Sequence, residues 1–277
     1  MKICYIIINK NDYKSTKHLV DNIIDYKIID NILIMDNASN KEERKKLTSI
    51  KNKKIEYLYN SVDKGYSSAI NRACDHLIDK YGECIFIISN ADVVIMDESD
   101  IEKLIEDLSF ECVGVVGPEI LERGKIIKGR KIPTPKEDIL KNLGLSKTVK
   151  DDNTILNGET SSVEVISSAF FLMTSKTYKL IDKFDDNVFL YYEDNILASK
   201  LKKLKLYSII DNRVKVKHNF DSTIEKEINM KKRFKLLMDA QIYFHKTYSN
   251  ATERELKLLR LSNKIKLLKT KVKHKNK

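Results

Sequence analysis

The chain has 277 residues, 42% of them hydrophobic and 33% charged, with a formal net charge of +11. That length accommodates one large α/β domain, alone or with a C-terminal extension, and three prolines and eight glycines exclude fibrous and low-complexity classes. The cationic excess points to anionic partners such as phosphates, nucleic acid or a membrane surface. Cys4, Cys74, Cys84 and Cys112 form no CxxC pair and sit in apolar or helical surroundings. They read as reduced core thiols, not as a zinc site or a disulfide framework. No uncharged apolar run approaches the roughly 18 residues that cross a bilayer. Met1 to Asn9 lacks the h-region and cleavage site of a signal peptide, so a cytoplasmic location is expected.

Ile3 to Ile8 is a near-continuous β-branched and aromatic run, which fits a strand buried on both faces of a parallel sheet. Asn9-Lys10-Asn11-Asp12 breaks it, and Ser15 is expected to cap a helix to about Lys27. Ile32 to Met35 predicts a second strand ending in Asp36-Asn37-Ala38-Ser39. Ser39 with Glu42 predicts a capping box for a helix to about Ile50. A third strand at Ile55 to Tyr59, a loop from Asn60 to Gly65, a helix from Tyr66 to Lys80 and a fourth strand at Cys84 to Ile88 follow. This alternation is the signature of a parallel sheet covered on both faces. Ligands of such sheets bind beyond the carboxyl ends of the strands. Here those ends are Asn9-Lys10-Asn11, Asp36 to Ser39, Asn60 to Gly65 and Ser89-Asn90-Ala91-Asp92.

There is no Walker loop and no GxGxxG. Asp92 offers a substitute for a glycine-lined phosphate cradle, a carboxylate holding a divalent cation that in turn holds a diphosphate; its bland role is a turn cap. Past a strand at Val113 to Pro118, Glu119 to Val163 is expected to be irregular, and its cluster Lys125, Lys128, Arg130 and Lys131 is either a phosphate contact or a solvated face. Order returns at Val163 to Thr174. Phe189-Leu190-Tyr191-Tyr192 then delivers two adjacent acids, Glu193 and Asp194, at the start of a helix to about Leu204. They either cap that helix or face a polar cleft that handles a proton or a cation. Two strands, Tyr207 to Ile210 and Val214 to Val216, lead to His218.

In their order and spacing these residues resemble glycosyltransferase family 2, the inverting nucleotide-sugar transferases, and in particular its rhamnosyltransferase-like branch. Ile6 to Asn11 looks like the opening strand and its turn, and Met35 to Ser39 looks like the DNAS element. Asp63 to Asn71 resembles NxGxxxAxN with Asp63 in place of Asn, and Ser89-Asn90-Ala91-Asp92 resembles the DxD metal motif with its first acid replaced. Phe184 to Asp194 resembles the segment that ends in the ED pair. The second acid of ED-x-D-L is absent at Glu193-Asp194-Asn195-Ile196, and Ser167-Ser168-Ala169 lacks the glycine common before the acceptor-site strand.

The resemblance implies a type A glycosyltransferase fold, a Rossmann-like, mostly parallel sheet with helices on both faces, over residues 1–220. A C-terminal helical extension would occupy residues 221–277. It implies a nucleotide-diphosphate sugar donor, a glycan or lipid-linked acceptor, Mg2+ or Mn2+ as cofactor, and work in bacterial surface polysaccharide synthesis. By residue, it implies Asp194 as catalytic base with Glu193 as close second, and Asp92 and His218 on the metal. Asn9, Asn11, Asp36, Asn37, Gly65, Asn71 and Asn90 would meet the nucleotide, and Ser167, Ser168 and Tyr192 the acceptor. A non-catalytic sugar-nucleotide-binding or scaffold relative is the alternative. A nucleic-acid binder ranks below both, because no recognition motif accompanies the charge.

From about Asn219 the pattern turns helical, first over Ile224 to Tyr248. Thr252 to Lys277 then sets Leu256, Leu259, Ile265, Leu268 and Val272 among many lysines. That basic amphipathic tail is either a solvated helix with one packed face or a contact with an anionic membrane surface.

Overall fold

The structure, a computed structural model, describes residues 1–145, 154–155, 158–219 and 228–275. Four βα units open it: β1 (Lys2–Asn9), α1 (Tyr13–Ile23), β2 (Asn31–Asn37), α2 (Lys41–Leu47), β3 (Ile55–Asn60), α3 (Tyr66–Tyr81) and β4 (Cys84–Asn90), then β5 (Val93–Val94) and α4 (Glu98–Leu108). Next come β6 (Val113–Glu122), β7 (Lys125–Ile127), α5 (Pro135–Leu143), β8 (Thr154–Ile155), β9 (Thr160–Val163), β10 (Phe170–Thr174) and α6 (Ser175–Leu180). The chain continues with α7 (Glu193–Lys203), β11 (Tyr207–His218), α8 (Met230–Thr247) and α9 (Glu253–Lys275).

The strands form one mixed sheet in the order β3-β2-β1-β4-β10-β6-β11-β9-β8, with β5 on β11 and β7 on β6. The long strands β3, β2, β1, β4, β6 and β11 share one direction, and β10 runs against both of its neighbours. Alternation along β1 explains why both faces are covered. Cys4 and Ile6 point to a core with α3, α6 and α7, whereas Tyr5 and Ile7 point to one with α1, α2 and α4. A third cluster joins Val188 and Ile196 to Ala240 and Phe244, so α8 packs directly on the segment that carries the acid pair. The expected boundary at residue 220 and the expected helix start at Ile224 lie outside the described residues.

Several local expectations need correction. Helix α1 starts earlier than expected, with Asp12 as cap accepting from the Ser15 N–H at 3.2 Å, and it ends at Ile23. Asn40, not Ser39, caps α2, because the Ser39 hydroxyl already accepts from the Asn11 N–H at 2.7 Å. The stretch expected to be irregular contains a hairpin, β6 with β7, and helix α5, which opens on a Thr134–Glu137 capping box with Pro135 in its first turn. The two strands expected after Leu204 are one strand, β11, with a register shift between Asp211 and Lys215. Cys4, Cys74 and Cys84 are buried, whereas Cys112 is exposed in a left-handed turn.

Candidate active site

Parallel pairing sets the polar strand ends side by side. Asn9 lies beside Asp36, Asn37 beside Asn60, and Asn90 beside Ile8. The Asp36 carboxylate is fully buried. It accepts from the Asn9 amide at 3.1 Å and from Arg44 Nε at 3.0 Å, and the Arg44 guanidinium lies 5.2 Å from the centroid of the Tyr59 ring. Burying a carboxylate costs several kcal/mol unless such partners pair with it. The Asn11 side-chain oxygen accepts from the Asn40 N–H at 2.8 Å, which ties the first turn to the second. Asn37 donates to Asp63 at 2.8 Å, and Asp63 also receives the Gly65 N–H at 2.9 Å and the Lys10 ammonium. Arg44 and Tyr59 escaped the sequence reading, since nothing in their local pattern marks them.

At the end of β4 the chain turns through Asn90 to Asp92. The last residue of β11 meets it there, with His218 Nε2 3.2 Å from Asp92 Oδ1 and Nδ1 3.0 Å from Glu122 Oε2. Burial pulls the pKa of His218 down, but the bonds and charges of Asp92 and Glu122 outweigh it and leave the imidazole above its usual value. An aspartate oxygen and an imidazole nitrogen at this separation fit two neighbouring positions on an octahedral Mg2+ or Mn2+, whose bonds of about 2.0–2.1 Å put adjacent ligands about 3 Å apart. Glu122, on the far ring nitrogen, is placed to orient the imidazole as a carboxylate behind a metal-binding histidine does. Among the described residues no group of three or more His, Cys, Asp or Glu could hold an ion unaided. The remaining positions would fall to substrate oxygens and water.

The acid pair sits across a short bridge from this cluster. The Asn90 N–H donates to the Ala169 carbonyl at 2.9 Å, and the Ser168 hydroxyl next to it donates to Glu193 Oε1 at 3.2 Å. The half-buried Tyr66 hydroxyl donates to the Ser168 carbonyl at 2.8 Å. Burial first, and then the charges of Glu193 and Asp92, drive the Tyr66 pKa far up, so this one phenol feels both acid sites. The backbone leading into the pair is strained. Tyr191 and Tyr192 take φ of 72° and 64°, in the left-handed region that costs about 1–3 kcal/mol for such residues. Gly65, at φ 98°, holds the approach: a Cβ there would stand 2.4 Å from the Phe189 carbonyl oxygen.

The two acids differ. Asp194 Oδ2 is bound by Arg130 at 2.6 Å, and its Oδ1 accepts from the Asn195 N–H at 2.8 Å. Glu193 Oε2 is shielded from solvent and has no side-chain partner among the described residues. Burial, and then the neighbouring Asp194 charge, push the Glu193 pKa up to about 7 from 4.5. That rise favours the protonated form of Glu193 beside its acidic neighbour. A carboxyl with a raised folded pKa adds stability that is complete below about 4.5 and is lost as pH rises through about 7. The native protein is thus expected to lose melting temperature from about pH 5 to about pH 8 relative to Glu193→Gln. Parallel melting curves across that range would show that Glu193 titrates like an exposed carboxyl.

Two expected contacts face elsewhere. Asn71 donates to the Phe184 carbonyl at 2.8 Å and accepts the Phe184 N–H at 2.9 Å, so its amide clamps the segment before the acid pair. Tyr192, expected at the acceptor, turns its hydroxyl into α5 and α8. There it donates to Asp138 and accepts from Gln241 at 3.0 Å, while Asp138 also binds the buried His245 at 2.8 Å. Its ring packs on Phe244, which draws it off the sheet edge. The Ser167 hydroxyl accepts from the Ala169 N–H at 3.3 Å and shapes the bridge, whereas Ser168 touches the pair itself. Arg130, which the sequence left inside a basic cluster, is the residue that binds Asp194 and Asn195.

The sequence profile of Glycosyl transferase family 2 matches residues 4–161. A search of curated proteins finds no match. Three solved structures share the fold. GalNAc-T7, solved with UDP, GalNAc and Mn2+, superposes with a TM-score of 0.59 at 14% identity over 79% of this chain, which spans 44% of the GalNAc-T7 chain. The mannosyltransferase PcManGT of Pyrobaculum calidifontis, in complex with GDP-Man and Mn2+, gives 0.57 at 14% identity over 96% of this chain and 72% of its own. TarS 1–349 of S. aureus gives 0.52 at 13% identity over 94% of this chain and 69% of its own.

Proposed function

Since the chain belongs to Glycosyl transferase family 2, we propose that it moves a sugar from a nucleotide-diphosphate donor to a hydroxyl of a glycan or lipid-linked acceptor, with inversion at the anomeric carbon. What carries this reading is the short bridge of Ser168 and Ala169 just before β10, which links the Asn90–Asp92 turn with His218 on one side to Glu193 and Asp194 on the other. The nucleotide would lie over the ends of β1 and β2, bounded by Asn11, Asn37 and the Tyr59–Arg44 pair, with Asp36 and Asn9 shaping its floor. Asn90 would line the path from there to the diphosphate. Work in surface polysaccharide synthesis and a lipid-linked acceptor are part of the same proposal.

Asp92 and His218 would hold the Mg2+ or Mn2+, which when bound neutralises the charge of the departing diphosphate. The acceptor hydroxyl attacks the anomeric carbon from the face opposite the diphosphate. As the new C–O bond forms and the bond to the diphosphate oxygen breaks, the hydroxyl proton passes to the base. We assign the base to Asp194, because its carboxylate is 22% exposed and within reach of an incoming hydroxyl, whereas Glu193 Oε2 is shielded from solvent. Arg130 holds and aims the Asp194 carboxylate, and Glu193 with Ser168 fixes where the acceptor comes to rest.

A thermal-shift series with nucleotide sugars, with and without Mg2+ or Mn2+, tests the donor half, since a ligand raises the melting point according to its affinity. Native protein is expected to show a metal-dependent shift. In Asp92→Ala the metal-dependent part is expected to vanish while any metal-free shift stays. An undiminished metal-dependent shift in that variant would remove Asp92 from the metal.

A further inference from the structure

Helix α9 has two apolar faces, and among the described residues only one is covered. Leu256, Leu259, Ser262 and Asn263 are buried against α5 and α8. A buried polar seam fixes the contact, with the Asn142 amide donating to Asn263 at 2.7 Å, to Gln241 at 3.0 Å and to Ser262 at 3.3 Å. At 3.6 residues per turn the opposite side carries Leu258, Leu261, Ile265 and Leu268 in one line. Leu258 is 46% exposed, Leu261 54% and Leu268 61%, three of the larger exposed apolar side chains of the molecule within three turns. Scattered exposed leucines are ordinary, whereas an aligned row is a contact surface.

The charges say what covers it. Arg254, Lys257, Arg260, Lys264 and Lys269 are all exposed on α9, and beyond Glu255 the helix has no acidic residue. A second copy of α9 on this face would bring like charges together with no acids to pair with them. A basic border around an apolar row instead matches an anionic lipid surface, where leucines enter the headgroup boundary and lysines meet phosphates. Among the described residues no helix is long and apolar enough to cross a membrane, so such a contact would lie along the surface.

We propose that the Leu258–Leu261–Leu268 face of α9 docks the protein on anionic membranes with the helix lying in the interfacial plane. The docking depends on the lipid surface and not on which sugar or acceptor the site takes, so it stands apart from the glycosyl-transfer reading. Flotation of the full chain with phosphatidylcholine vesicles, and with phosphatidylcholine–phosphatidylglycerol vesicles at low and high salt, tests it. Binding is expected on the anionic vesicles alone and to weaken with salt. Leu258→Ser with Leu261→Ser and Leu268→Ser is expected to cut binding at least about tenfold with the melting temperature kept, because these side chains lie outside the core. Lys257→Glu with Lys264→Glu is expected to weaken it by roughly tenfold or more while leaving every leucine in place.

Equal flotation of native and leucine variants would overturn the proposal, as would equal binding to neutral and anionic vesicles. So would a native dimer in light scattering that the leucine variant turns into a monomer, which would make the face a contact between copies. A nucleotide-sugar thermal shift measured on the same variants keeps the two readings separate, since docking variants are expected to retain it.

Discussion

Asp194→Asn is expected to lower sugar transfer by about 10²–10⁴-fold, the usual contribution of a positioned general base, while nucleotide-sugar affinity stays within a few-fold. The substitution is nearly isosteric and keeps an oxygen for Arg130, which holds the native side chain at 2.6 Å, so the loss would report on proton acceptance and not on the fold. Glu193→Gln is the companion measurement. It mimics the protonated Glu193 that desolvation and the neighbouring Asp194 favour below about pH 7, and it can still accept from Ser168 through its remaining oxygen. It is therefore expected to keep transfer within about tenfold of native. If Glu193→Gln is the inactive variant and Asp194→Asn the active one, the two roles are exchanged. If both remain active, the pair is structural and the base lies elsewhere.

Gly65→Ala is expected to cost stability and activity together, with about 2–4 kcal/mol lost in denaturant unfolding. The new methyl would meet three backbone atoms of Phe189 at 2.4 to 2.9 Å, and backbone cannot swing aside as a flexible side chain can. Residue 189 lies four positions before Glu193, so the segment that gives way is the one that aims the acids. The Tyr66 N–H also donates to the Phe189 carbonyl at 3.2 Å, which ties the start of α3 to the same atoms. Gly144→Ala is the control. Gly144 sits in the left-handed region at φ 74° and ψ 24° with nothing within 4 Å of an added Cβ, so that change carries backbone strain alone, about 1 kcal/mol. Equal losses in the two variants would mean that the close approach of Gly65 to Phe189 is unimportant.

These expectations rest on contacts that differ in how visible they are along the chain. Asp12, Asn40 and Thr134 cap helices through bonds within three residues, and such bonds leave a local pattern even where Ser15 and Ser39 looked like better caps. Arg130 and Asp194 lie 64 residues apart, and Tyr192 and Asp138 lie 54 apart. Nothing near Arg130 separates it from Lys125, Lys128 and Lys131, because a guanidinium that binds a carboxylate and one that faces water have the same local sequence. Tyr192 misled for the same reason. Its place beside the acids is local, but the direction of its ring follows from α5 and α8, which the chain reaches by separate routes.

The sequence by itself determined the order of the opening βα units, the two-faced burial of β1, β2 and β4 and the polar ends those strands present, because these follow from the spacing of apolar side chains along continuous segments. Only the tertiary structure decided that β10 inserts antiparallel beside β4 and carries Ser168 to Glu193, that Arg130 binds Asp194 and that Glu122 backs His218. Those pairings join segments distant in sequence, and their chemistry depends on desolvation and neighbouring charge. Neither exists until the sheet has closed around them.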